Sequence, residues 1–122
     1  MSFSPQYIFH FTNPCGVGDM ENPDVTAQVQ HEGGGCFDRV KLMLRIADGA
    51  IVQARFLARA CSGTIAACSA LVASIEGKSL VEAEKLKYDD LITILGGIPE
   101  KKQHSIELAI EALKEAMKSL QN

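Results

Sequence analysis

No stretch of this 122-residue chain is apolar for long enough to cross a bilayer, and its first fourteen residues hold no basic segment leading into an apolar run. Those absences set aside a membrane span and a secretory leader, so a cytoplasmic location is the expectation. Twelve lysines and arginines stand against fifteen acids, a net charge of −3, and no tract concentrates the basic ones. The electrostatic footprint of a nucleic-acid or anionic-membrane partner is therefore missing. Internal repeats and low-complexity tracts are absent as well. Cysteine is scarce: the four, at positions 15, 36, 61 and 68, make a poor disulfide framework for a chain in a reducing compartment. Metal or sulfur chemistry is the better use for their thiols.

With 47% hydrophobic residues the chain suits one domain over residues 1–122, long enough to build a core and too short for two ordinary domains. Its organising stretch runs from Gly33 to Thr64, a β-hairpin with Cys36 going in and Cys61 coming out. Val40, Leu42, Leu44 and Ile46 alternate with Lys41, Met43 and Arg45, the period of a half-buried strand. Ala50, Val52, Ala54, Phe56 and Ala58 share one parity of the second strand, and Gln53, Arg55 and Arg59 the other. Matching the apolar sets argues against a two-residue Asp48-Gly49 turn, which sets Leu44 opposite Gln53 and Leu42 opposite Arg55. A three-residue Ala47-Asp48-Gly49 loop instead puts Ile46 opposite Ala50, Leu44 opposite Val52, Leu42 opposite Ala54 and Val40 opposite Phe56. Cys36 then falls level with Ala60, beside Cys61, and the open end of the hairpin is the predicted active end.

Ser4-Pro5 begins a short helix that docks Tyr7, Ile8 and Phe11 and stops at Asn13-Pro14. Cys15 to Glu32 reads as a loop around a short strand from Val25 to Val29. Gly33-Gly34-Gly35 leaves the backbone before Cys36 free to take left-handed angles or to admit a close neighbour. After the hairpin, Ser62 caps a helix over about 63–76 whose apolar face is Ile65, Cys68, Leu71, Val72 and Ile75. Ser79 and Glu82 have capping-box spacing, and Asp89 caps a helix carrying Leu91, Ile92 and Leu95. A last helix starting near Pro99 to Gln103 buries Ile106, Ala109, Ile110, Leu113, Met117 and Leu120 and shows Glu107, Glu111, Lys114 and Lys118 to solvent. The sum is an α+β fold, a small antiparallel sheet of two or three strands with helices over one face.

The residues that carry chemistry gather at that open end. Cys36 and Asp38 sit two apart beside the glycine run, and Cys61 sits at a helix start, where the dipole favours thiolate. His104, in the first turn of the last helix, completes a set of four donors. Two thiolates, an imidazole and a carboxylate suit tetrahedral zinc, and thiolates with imidazole also suit iron–sulfur clusters. Each residue has a plainer use too. Isolated cysteines are usually small buried hydrophobes, which fits Cys68 on its apolar stripe; Cys15 stays open between core and site, and Asp38 is a ready turn cap. His10 and His31 have no partner at ligand spacing and read as surface or capping groups.

Taken as a set, His10-Phe11-Thr12-Asn13-Pro14, Cys36-Phe37-Asp38, Ala60-Cys61-Ser62-Gly63 and Leu95-Gly96-Gly97-Ile98-Pro99 followed by His104 resemble the NifU/IscU-type scaffolds of iron–sulfur cluster assembly. The resemblance spans nearly the whole chain. It implies a non-enzymatic α+β scaffold that builds a labile [2Fe-2S] cluster at one exposed end and passes it on. A cysteine desulfurase and recipient apo-proteins are the implied partners, with iron as the metal and zinc as an occupant of the isolated protein. By position, Cys36 and Cys61 are similar to the first two ligand cysteines, Asp38 to the aspartate that keeps the cluster labile, and His104 to the family histidine. Ser105 stands where the family has its third cysteine, and Phe37 where it has glycine. Ile98-Pro99-Glu100-Lys101-Lys102 departs from the proline-rich segment that a chaperone recognises. Cys15 is a candidate substitute for the missing thiolate. Two other functions stay open: a zinc- or iron-holding module without cluster transfer, and a sulfur relay carrying a persulfide on Cys36 or Cys61.

Overall fold

The computed structural model describes residues 4–33, 36–98 and 102–120, with residues 32, 33, 36 and 37 described by their backbone alone. Three antiparallel strands, β1 (Val25–Gly33), β2 (Cys36–Ala47) and β3 (Ala50–Arg59), lie in the order β1-β2-β3. Helix α1 (Pro5–Thr12) precedes them, and α2 (Ser62–Ile75), α3 (Leu80–Glu84), α4 (Tyr88–Ile94) and α5 (Gln103–Leu120) follow. The expected α+β architecture with a small helix-covered sheet is the one observed. α2 packs on β3, α5 on β1 and β2, and the two helices on each other. Between them and the sheet Val29, Val40, Leu42, Phe56, Leu71, Ile106 and Leu113 form the core.

The hairpin departs from the predicted register. β2 and β3 turn through two residues, with Ala47 opposite Ala50 and both Asp48 (φ 52°) and Gly49 (φ 74°) left-handed. That is the mirror-image turn that an Asp-Gly pair favours, because its twist matches that of the strands. A bulge then repairs the parity: Ile46 faces Ile51 but Arg45 faces Gln53, so Val52 is the extra residue. Ile51 is buried and Val52 is 50% exposed, the reverse of the expected pair. Beyond the bulge Leu44 faces Ala54, Leu42 faces Phe56 and Val40 faces Ala58. The register also puts Arg39 opposite Arg59, which brings Asp38 rather than Cys36 level with Ala60.

The short strand expected from Val25 to Val29 is the nine-residue β1, which continues to Gly33. Before it, residues 16–24 cross the outer face of the sheet. Phe56 donates its amide to the Gly16 carbonyl and accepts the Gly18 amide, while Asp24 bonds Leu44 and Ile46 at the other side. Gly16 is required at that crossing, since an added Cβ would stand 2.4 Å from Val72 Cγ1 with φ at +69°. This strap explains Met43, which lies on the strand face expected to be polar yet is 0% exposed.

Smaller corrections follow from caps. Cys61 itself is the N-cap of α2, with Ser62 already helical. The carboxylate at the start of α4 that takes the Lys87 amide is Asp90, not Asp89. Ser4 caps α1 as expected, yet of its three docking candidates only Tyr7 is buried, while Ile8 and Phe11 are exposed.

Candidate functional site

Antiparallel pairing puts the start of β2 beside the end of β3, and β3 runs through Ala60 straight into α2, so Asp38 and Cys61 meet with no intervening loop. α5 delivers the third corner. Its first turn packs against Gly63 of α2, where an added Cβ would lie 2.8 Å from Ser105 Oγ and 3.0 Å from Lys102 Cδ. The donor atoms of Asp38, Cys61 and His104 consequently all lie within 4.8 Å of one another. Two helix starts converge on this point, and their partial positive charges favour anionic oxygen and sulfur there.

Asp38 is only 1% exposed, and its carboxylate is heavily bonded. It accepts from the Thr64 hydroxyl at 2.6 Å, the Cys61 amide at 3.3 Å and the Cys61 thiol at 3.6 Å. Burial pushes its carboxyl up, but these hydrogen bonds and the neighbouring His104 imidazole outweigh that and hold it below the usual carboxylate range. Cys61 behaves the same way. Burial and the Asp38 charge raise its thiol, while the Thr64 amide and the Ser105 and Thr64 hydroxyls, each 3.7 Å from the sulfur, bring it below its ordinary value.

His104 Nε2 lies 3.5 Å from Asp38 Oδ2, is buried, and makes no hydrogen bond among the described residues. A buried ring nitrogen left without a bond costs free energy unless something takes it up. One imidazole nitrogen, one carboxylate oxygen and one thiolate sulfur converging on a point are a donor set that fits zinc or iron.

Asp38, Cys61 and His104 are thus the sequence candidates that the fold brings together. The backbone of Cys36 opens β2 two residues before Asp38, and its side chain lies outside the described residues, as do Gly34, Gly35 and the segment 99–101. Cys15 is not at this point: its amide donates to Ser69 Oγ at 2.8 Å, eight residues and about 12 Å along α2 from Cys61. That removes the basis for Cys15 as the substitute ligand. Cys68 is core as expected, its thiol pushed up to about 12 by burial and by the Asp38 charge.

Both histidines read as surface groups have partners. His10 is buried with Nδ1 2.7 Å from Ser69 Oγ. His31, paired with Asp38 across β1 and β2, stacks on the His104 ring at 5.1 Å between centroids and 21° between planes. Thr64 was missed altogether; its one sequence signal is its place three residues after the N-cap, within reach of whatever the helix start binds.

Residues 3–122 match the family described as NifU-like N terminal domain. Among curated relatives, the iron-sulfur cluster assembly scaffold protein IscU of Escherichia coli K12 is 34% identical over 119 residues, covering 96% of this chain and 92% of that protein. The scaffold protein IscU 1 of Archaeoglobus fulgidus is 31% identical over 115 residues, covering 94% and 74%. Among solved structures, an N-terminal NifU-like protein from Brucella abortus superposes with a TM-score of 0.78 at 16% identity, over 97% of this chain and 93% of that one. At that identity the likeness speaks for the fold.

Proposed function

This chain belongs to the NifU-like N terminal domain family, and from that premise we propose that it is an iron–sulfur cluster assembly scaffold, a carrier rather than a catalyst. The cluster is its cargo. The observation that carries this reading is the trio of Asp38, Cys61 and His104, whose buried ring nitrogen makes no hydrogen bond among the described residues. The curated relatives named as scaffolds support it, and Cys36, whose backbone opens β2 two residues before Asp38, is the further cysteine assigned to the cluster by the resemblance. A sulfur donor of the cysteine desulfurase kind and apo-protein acceptors are the partners this role requires, with a labile [2Fe-2S] cluster as the cargo and the cytoplasm as the compartment. Among the described residues no helix is long and apolar enough to cross a membrane.

Anaerobic purification tests the proposal, with iron, acid-labile sulfide and zinc measured per chain before and after addition of iron, cysteine and a desulfurase. Iron and sulfide in stoichiometric amounts, lost in Cys36→Ala and Cys61→Ala, are the expected result. Zinc alone, with no sulfide after reconstitution, would replace it with a metal-holding module. The lowered thiol of Cys61 favours a second reading, in which its thiolate attacks the outer sulfur of a donor persulfide and releases the donor thiolate. Mass spectrometry of a trapped Cys61 persulfide in a chain that never acquires iron would support that relay over the scaffold.

A further inference from the structure

Thr64 lies fully buried in the first turn of α2, at the centre of the polar contacts of the site. Its Oγ1 stands 2.6 Å from Asp38 Oδ2, 2.9 Å from Ser105 Oγ and 3.7 Å from Cys61 Sγ. A hydroxyl has one proton to give. The ionised Asp38 oxygen takes it, because charge-assisted bonds are the stronger ones, and the Ser105 hydroxyl then donates into a free lone pair on Thr64. The resulting chain, Ser105 to Thr64 to Asp38, is polarised in one direction and satisfies two fully buried hydroxyls at once. Asp38 Oδ1 is held separately by the Cys61 amide. Both carboxylate oxygens are therefore fixed in orientation, and Oδ2 keeps a lone pair on the side where His104 Nε2 and Cys61 Sγ converge.

We propose that Thr64 is the positioning residue of this site. Its hydroxyl, supported by Ser105, aims Asp38 Oδ2 at the metal-binding corner and sets how firmly a divalent cation is held. Ser105 acts as the far end of the relay and not as a ligand, which accounts for a hydroxyl at a place where a soft thiolate would bind metal better. Gly63 is part of the device, since a side chain there would drive Ser105 Oγ away from Thr64. Outer partners that orient a metal ligand commonly govern affinity by about 10–100-fold.

The inference rests on the reading that Asp38, Cys61 and His104 bind metal, and Co²⁺ alone tests it without a cluster or a desulfurase. The whole chain is titrated anaerobically with Co²⁺, following the visible d–d bands and the thiolate charge-transfer band, alongside metal-free thermal unfolding of each variant. Thr64→Val, nearly isosteric and without a donor, is expected to weaken Co²⁺ by about 10–100-fold. Thr64→Ser restores wild-type affinity, and Ser105→Ala loses less than Thr64→Val. If Thr64→Val unfolds, Thr64→Ala takes its place with the same expectation. Unchanged affinity in the folded donorless variant overturns the proposal, and so does a loss in Ser105→Ala as large as that in Thr64→Val, which would make Ser105 a ligand. A wild-type chain that binds no Co²⁺ removes the metal site and this inference with it. A wild-type chain that binds, with Thr64→Val equally tight, leaves the scaffold reading standing and removes the inference alone.

Discussion

Cys61 and Cys68 are set at the start and in the middle of the same helix, and their surroundings push the two thiols in opposite directions. Cys61 is half-buried at the helix start, with the Thr64 amide directed at its sulfur and the Thr64 and Ser105 hydroxyl oxygens 3.7 Å from it; Cys68 is sealed in apolar surroundings. Only thiolate is nucleophilic, so the rate of alkylation rises with pH through each thiol's own value. Iodoacetamide labelling of the native chain, read by peptide mass spectrometry, is expected to modify Cys61 with a half-maximal rate at lower pH than a free cysteine, and to leave Cys68 untouched until the chain unfolds. Equal labelling of the two cysteines would contradict these environments. Much of the site was legible at this scale, because Asp38, Cys61 and His104 are donors beside a glycine run or at a helix start. Thr64, His31 and the bonding of Ser105 were not, since each owes its place to a register or a helix crossing that no single residue type announces.

At the scale of elements, α1 is fastened to α2 by the buried His10 and Ser69, and the Tyr7 hydroxyl adds a contact with Ser62 at 3.3 Å. Burial lowers the His10 value below 6.5. An unfolded histidine protonates near pH 6.5, so between that pH and the lowered folded value the unfolded chain binds the extra proton. The stabilisation from neutral His10 is therefore complete above about pH 6.5 and is lost as pH falls toward the folded value. Urea unfolding from pH 8 to pH 5 is expected to show that decline in the wild type and a flatter one in His10→Gln. Parallel profiles would refute it. The hairpin shows why elements were read better than their registers. Alternation along β2 and β3 marked two strands correctly, but holding one parity over all of β3 kept Val52 inside and excluded the Asp48-Gly49 turn. One bulged residue reverses parity, places Ile51 inside, and lets the favoured turn stand.

Over the whole molecule, the donors come from the start of β2, the start of α2 and the start of α5, so a bound cation joins early and late parts of the chain. A ligand that binds the folded chain alone stabilises it by about 2.7 kcal/mol at a hundred times its Kd. Zinc at that excess is expected to raise the wild-type unfolding free energy toward this figure in urea titrations, and to leave Cys61→Ala and His104→Ala unmoved. A zinc effect that survives in both would place the binding elsewhere. The fold class was legible at this scale, since strand alternation and helical periodicity are set by burial against one core. The strap over the outer sheet face was not, because residues 16–24 carry no periodic pattern.

That strap, with the segment after α2, has a consequence for how copies of this chain meet. β3 is an edge strand, and edge strands offer unpaired amides as a template on which another chain can add a strand. Here the Ile51 amide is taken by the Lys78 carbonyl, the Ala54 amide by the Glu76 carboxylate and the Phe56 amide by the Gly16 carbonyl. Three outward amides of β3 are occupied by two pieces of the same molecule, the strap and the segment after α2. The chain's own segments thereby cap this stretch of the β3 edge, so that a second copy finds no free amides there on which to add a strand.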